Sequence, residues 1–277
     1  MDKRLAVYLF GHNLNKICYP WHAAIRSALA LAGAGGRVYF CECESSDDTF
    51  DDAIGTFAPQ VDAGLLTILK HPWGSHFSIQ ARIANYLLDA ISEDGYEWTL
   101  KLDADEVLCE WSFDRFREDL EGMTRRGFLL GRPHYTHFCP DADNEFDFIY
   151  RSKAVISRQR PVRIRFNTDP STGNADACAL GGWSEWQTGL EIYHYGKMQV
   201  GRRTEALWKE YSFQQLYVDL GFPDPKVVEQ LPEGKIDYDR IFQTARERGE
   251  FREFHGRHPV FVQGWLNEQY KKEGRDA

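Results

Sequence analysis

Trp98-Thr99-Leu100-Lys101-Leu102-Asp103-Ala104-Asp105-Glu106-Val107-Leu108 changes character halfway along. Its first half is an apolar run with the length and composition of a buried strand. Three acids then fall within four positions. Residues i and i+2 of an extended segment point to the same side, so Asp103 and Asp105 are placed to converge on one cation. Oxygen ligands at the carboxyl end of a strand suit Mg²⁺ or Mn²⁺, which sit between carboxylates and substrate phosphates. The alternative is a strand followed by an acidic, solvated turn, because an Asp-x-Asp alone has low specificity. Lys101 is odd inside a buried parallel strand and requires an acid partner or an edge position.

Upstream of this stretch, strands and helices alternate. Residues 5–10 form a short apolar strand closed by Gly11-His12-Asn13, and a helix with an Ala-rich face follows over 17–31, stopped by Gly33-Ala34-Gly35-Gly36. Residues 37–41 form a second strand. The polar turn Glu42-Cys43-Glu44-Ser45-Ser46-Asp47-Asp48-Thr49 offers Ser46 or Asp47 as N-cap of a helix reaching Phe57. A third strand at 65–69 and an amphipathic helix over 75–91 lead into the quoted fourth strand. Such alternation predicts βαβ units and a mostly parallel sheet. Right-handed crossovers then bring the strand ends to one edge, where open α/β sheets bind ligands. The chain lacks both a Gly-x-Gly-x-x-Gly and a Walker lysine loop, which disfavours Rossmann dehydrogenases and P-loop enzymes.

Downstream the regularity fades. Ser112 caps a short helix at 113–120, residues 128–138 are strand-like, and a last strand at 190–195 ends in Tyr193-His194-Tyr195-Gly196. His134 and His137, three apart on a strand, face opposite sides, which argues against a shared zinc. Polar or Gly-rich loops at 139–145 and 167–182 are long enough to cover a substrate. Helices are expected over 204–220, 237–248 and 260–270.

The 277 residues suffice for one large domain or one domain with an appended part, and 43% hydrophobic content supplies a sizeable core. With 33 basic and 42 acidic residues the net charge is −9, against a general nucleic-acid or anionic-membrane binder. Arg151, Lys153, Arg158, Arg160, Arg163 and Arg165 read either as one positive surface or as a solvated strand face. The six cysteines lie in apolar or strand-like contexts and read as free thiols. Only six uncharged residues lie between Arg4 and Gly11, too few for a secretory or membrane segment, so a cytoplasmic protein is expected.

Three anchors give the chain a resemblance to the family 2-like glycosyltransferases of the GT-A fold, in the bacterial branch whose motif reads Leu-Asp-Ala-Asp-Glu. The turn 42–49 stands in the register of that family's Asp-Asp-Gly-Ser-Thr-Asp-Gly-Thr. Leu102-Asp103-Ala104-Asp105-Glu106 matches the motif, and Tyr193-His194-Tyr195-Gly196 resembles a late His-Tyr. The resemblance implies a three-layer α/β/α, Rossmann-type GT-A domain over 1–200, with a nucleotide-binding half at 1–110 and an acceptor half at 111–200, followed by a C-terminal helical extension at 201–277. It implies an inverting transferase that uses Mn²⁺ or Mg²⁺, a nucleotide-sugar donor and a glycan or glycolipid acceptor, with peripheral membrane contact left open.

Carried over residue by residue, Asp103, Asp105 and His194 are the metal candidates, Asp105 foremost. Gly11, Asn13, Glu42, Glu44, Arg82 and Asp103 are candidates for the nucleotide sugar. Glu42 stands for the family's first Asp, while Cys43 and Glu44 depart from the pattern, so either glutamate is a candidate ribose or base contact. Glu185, between Trp183 and Trp186, stands where the family carries its base, with Ser184 in place of the usual His; Asp169 and Asp176 are rivals. Two other readings remain: a nucleotidyltransferase, although Gly11-His12-Asn13-Leu14-Asn15-Lys16 lacks the glycine richness of its loop, and a non-catalytic sugar-binding protein on a decayed transferase fold.

Overall fold

The structure, a computed structural model, describes residues 4–74, 78–139, 141–146, 154–160, 164–166, 168, 184–196, 198 and 238–272. Its centre is a mixed eight-stranded sheet in the order β3-β2-β1-β4-β8-β6-β9-β5. The four leading strands are β1 (Leu5–Gly11), β2 (Arg37–Glu42), β3 (Leu66–Lys70) and β4 (Trp98–Lys101). They pair in parallel, with Gly11 level with Glu42 and Tyr8 level with Lys101. Their carboxyl ends therefore lie on one edge, as the alternation predicts. The fold is α/β.

Alternation along each strand sends side chains to two different layers. Leu5, Val7 and Leu9 of β1, with Val38 and Phe40 of β2, pack on α2 (Trp21–Ala32), α3 (Thr49–Asp62) and α5 (Phe113–Arg126). Ala6 and Tyr8, with Tyr39 and Cys41, pack on the opposite layer, formed by Ile83, Leu87 and Ile91 of α4 (Ile79–Asp94). A four-residue α1 (Leu14–Ile17) precedes α2, and Pro20 separates the two. The helix expected to end at Phe57 runs on to Asp62 with a kink at Phe57, because Phe57 itself is buried and Pro59 is accommodated just beyond it. The N-cap reading of the preceding turn points to Asp47. Its Oδ1 accepts from the backbone N–H of Thr49 at 3.1 Å, although Asp48 is the first residue outside the helix.

The second half of the sheet is less regular, yet it is a sheet. A short β5 (Glu106–Leu108) follows the acidic turn, correcting the expectation that order fades there. Next come β6 (Leu130–His137), β7 (Asn144–Phe146), β8 (Ile156–Arg158) and β9 (Glu185–His194), which starts five residues earlier than expected. β9 runs parallel to β6 and antiparallel to β5, bringing Glu106, His194 and His137 onto one rung. Three residues of β5 carry too weak a pattern to be read alone; pairing with a ten-residue β9 stabilises them.

Of the expected C-terminal helices, α6 (Tyr238–Glu247) and α7 (Gln263–Lys272) are present, while the one at 204–220 lies outside the described residues. β10 (Phe251–Glu253) pairs with β7. Val262 and Leu266 share an apolar cluster with Val107, Phe138, Tyr193 and Tyr195, so this segment helps build the floor under β5 and β9. Among the described residues no helix is long and apolar enough to cross a membrane.

Candidate functional site

Asp103 and Asp105 meet different partners, and a turn rather than strand alternation separates them. The N–H of Glu106 donates to the Asp103 carbonyl at 3.0 Å, while Glu106 Oε2 accepts from the Asp103 N–H at 2.9 Å. Glu106 is 1% exposed and closes the turn from both ends. That explains an acid for which the motif alone supplies no role. Asp103 pairs with the ammonium of Lys101, which is buried in β4 at the centre of the sheet. The partner that Lys101 requires is thus two residues away, and the edge alternative is excluded.

Asp105 turns the other way, towards the end of β9. Its Oδ2 lies 3.3 Å from His194 Nε2, with both side chains nearly buried. The Tyr195 N–H donates to the Asp105 carbonyl at 2.9 Å, fixing the turn against β9. His194 Nδ1 lies 3.1 Å from His137 Nδ1, and the two rings stand edge to face. Gly196 completes this corner. A Cβ there would overlap Asp105 Oδ2 and lie 2.7 Å from His194 Nε2, so only a glycine lets both side chains approach the backbone this closely.

Does this corner suit a divalent ion? Two adjacent ligands of an octahedral ion with bonds near 2.1 Å lie about 3 Å apart, close to the 3.3 Å between Asp105 Oδ2 and His194 Nε2. One carboxylate and one imidazole at that separation are donors that suit Mn²⁺ or Mg²⁺. Among the described residues no three His, Cys, Asp or Glu side chains form a ready-made set. Asp103, Asp105 and His194 are therefore not brought together as one cluster.

The neighbouring strand ends form a bonded shelf. Gly11 is packed against Leu14, and its carbonyl accepts from Cys43 N–H. Asn13 has a positive φ of 54°, and its Oδ1 accepts from the Ser46 N–H at 2.7 Å. Glu42 is buried and accepts from the Ser45 N–H at 2.6 Å. Its carboxylate is committed to the turn, which argues against the ribose or base role. Glu44 is exposed, with a φ of 50°, and accepts from the Trp73 N–H. Trp73 in turn stacks on His12 at 5.1 Å. The Cys43 thiol is pushed up by its hydrogen bond to Cys41 and by burial, so it cannot stand in for the family's second carboxylate. Arg82 is exposed one turn into α4, with Nε donating to Ser78 Oγ.

Glu185 is not at this site. It opens β9, whereas His194 closes it, nine residues away. Glu185 is level with Leu130 and His194 with His137, so seven steps along β6 separate them, roughly 23 Å at about 3.3 Å per residue. Glu185 pairs instead with Arg132 of β6. The geometry gives the expected base role no support, because the Glu-Trp and His-Tyr segments lie at opposite ends of β9. Glu185→Gln should therefore leave catalytic turnover unchanged and alter stability by less than about 1 kcal/mol, since the pair is partly solvated; activity assays and melting curves test this. Asp169 and Asp176 lie outside the described residues.

The basic run does not form one positive surface in its described part: Arg158 pairs with Glu97 at 2.7 Å and Arg165 with Asp89 at 2.5 Å. A cavity of about 1510 Å³ lies at the opposite, amino-terminal edge of the sheet. Its lining combines Arg4, Arg117 and Arg158 with Glu97 and Glu121, and it touches none of the candidate residues. Cys18, Cys41, Cys43, Cys109 and Cys139 are free thiols.

Behind the Asp105–His194 corner, His258 Nδ1 lies 2.8 Å from the Tyr195 hydroxyl, and Nε2 lies 3.0 Å from the Ala142 carbonyl. The neutral ring satisfies both contacts by accepting from Tyr195 and donating to Ala142. Burial lowers the pKa of His258, and of His22 likewise. Below about pH 6.5 the unfolded chain binds protons that these buried rings resist. Their contribution to stability is present above that pH and is lost as the pH falls through the lowered folded values. Wild-type melting temperature should drop between pH 7.5 and 5.5, and the drop should be smaller in His258→Gln.

No protein family matches the chain, and no relative is found among curated proteins. Solved structures with a related outline include TarS 1–349 from S. aureus in complex with UDP, at 13% identity and TM-score 0.36 over 49% of this chain and 36% of that one. A second structure of S. aureus TarS 1–349 matches at 11% identity and TM-score 0.42 over 87% and 69%. GalNAc-T7 with UDP, GalNAc and Mn²⁺ matches at 10% identity and TM-score 0.39 over 98% and 57%. The chain spans little more than a third of the first of these. At such scores none of the three decides an activity.

Proposed function

We propose that the protein is a divalent-metal-dependent glycosyltransferase that moves a sugar, with inversion, from a nucleotide-sugar donor to an acceptor hydroxyl of a glycan or glycolipid. The observation that carries this reading is the Asp105–His194 pair over Gly196, at the edge where the parallel strands end. The motif resemblance of 102–106 and 193–196 supports it independently.

Asp105 and His194 would hold Mn²⁺ or Mg²⁺. The ion supplies charge stabilisation for a nucleoside diphosphate that gains negative charge as the glycosidic bond breaks. Asp103, restrained by Lys101, is assigned to the donor ribose, where a carboxylate accepts from hydroxyls. Glu44 takes the remaining nucleotide contact, because it is exposed whereas Glu42 is buried and tied to Ser45. Asn13 and Gly11 hold the shelf on which the nucleotide lies, and Arg82 on α4 contributes positive charge beside the diphosphate. Inversion requires a base on the acceptor side that takes the hydroxyl proton as the new bond forms. With Glu185 distant, Asp169 takes that role in this reading.

Incubation with a panel of nucleotide sugars, with and without Mn²⁺, tests the proposal by release of free nucleoside diphosphate. Metal-dependent release with at least one donor is expected. No turnover with any donor, together with no Mn²⁺-dependent UDP or GDP binding, would overturn it.

A further inference from the structure

We infer that His137 is the positioning residue for His194, holding its ring so that Nε2 faces the Asp105 carboxylate. The inference rests on the assignment of Asp105 and His194 as the metal pair. His137 and His194 are level neighbours on the parallel strands β6 and β9. Their Nδ1 atoms face each other at 3.1 Å, and the rings are inclined at 72° with centroids 4.9 Å apart. His137 is itself held flat against Tyr135, at 5.8 Å and 10°. Tyr135 thus backs the ring that faces His194.

The two Nδ1 atoms share one proton, since one must donate and the other accept. Without an ion, His194 Nε2 faces a carboxylate oxygen, which only accepts, so Nε2 carries the proton and Nδ1 accepts from His137. A ligating imidazole uses its Nε2 lone pair, so the proton of the neutral His194 ring then resides on Nδ1, donating to His137. Only a partner that can both donate and accept at one position serves both states. Imidazole does this by changing tautomer, and an amide does it by offering its nitrogen or its oxygen. A carbonyl or a carboxylate would serve one state alone.

Three full-length proteins test this: wild type, His137→Phe and His137→Gln. Mn²⁺ binding would be measured by electron paramagnetic resonance in the presence of UDP. Loss of such an outer hydrogen bond costs about 10–100-fold in metal affinity. That loss is expected for His137→Phe, with most of the affinity restored in His137→Gln. Unchanged binding in His137→Phe, or an equal loss in both variants, would overturn the role of His137. Absence of Mn²⁺ binding in the wild type would instead overturn the metal reading itself. Should His137→Phe fail to fold, ¹⁵N shifts of the wild-type His194 ring decide. The proton is expected on Nε2 in the free protein and on Nδ1 with Mg²⁺ and UDP; the same tautomer in both states sinks the inference.

Discussion

Asp105→Asn should abolish Mn²⁺-dependent nucleotide binding while leaving the fold intact. The substitution keeps the size of the side chain and removes the one charge that faces His194 Nε2 at 3.3 Å. The turn survives, because it is closed by backbone groups and by Glu106, not by the Asp105 carboxylate. The expected loss in metal affinity exceeds the 10–100-fold typical of an outer partner. The expected loss in turnover is about 10²–10³-fold, the scale for removing one preorganised stabiliser of developing charge. Calorimetric titration of UDP with and without Mn²⁺ reads the first effect, and donor consumption reads the second. Binding of UDP that stays equally metal-dependent in the variant would remove Asp105 from the site.

Gly196→Ala should match that loss without touching any charged group. A Cβ at this position would overlap Asp105 Oδ2 and come within 2.7 Å of His194 Nε2. Either the carboxylate or the imidazole must then leave the corner. Overpacking of this kind costs about 1–3 kcal/mol, so melting should fall by an amount that leaves the protein folded at room temperature. Metal-dependent binding should fall much further, since the displaced groups are the two donors. A fully active Gly196→Ala protein would show that the close approach of Asp105 and His194 to Gly196 plays no part in binding. Together the two variants separate loss of charge from loss of placement.

The candidate site was legible in part, and the division follows the range of the forces involved. Asp103, Asp105 and His194 stood out because acids after an apolar strand, and a late histidine after another, are local contrasts in chemistry. The split between the two aspartates was not legible. It depends on Lys101 drawing Asp103 one way and on β9 drawing Asp105 the other. Glu106 looked like one more acid of the cluster, yet burial turns it into a turn-closing acceptor. Glu185 and His194 are near in sequence, yet they open and close one strand. Even with the register shift opposite Arg132 and His134, the strand keeps its two ends apart. Gly196 was visible only as the end of a motif; its importance is the absence of a Cβ in one small volume.

By itself, the sequence determined the βαβ order of residues 5–101 and the edge on which a ligand would lie. Apolar periodicity and strand-ending glycines act over a few residues and need no partner to be read. It also determined which residue types could bind an ion. The tertiary structure decided which of them meet. The pairing of β5, β9 and β6 sets Asp105, His194 and His137 in line, although about 90 residues separate the first from the second. Contacts across that separation come from sheet register and burial, and neither is written in any short stretch of the chain.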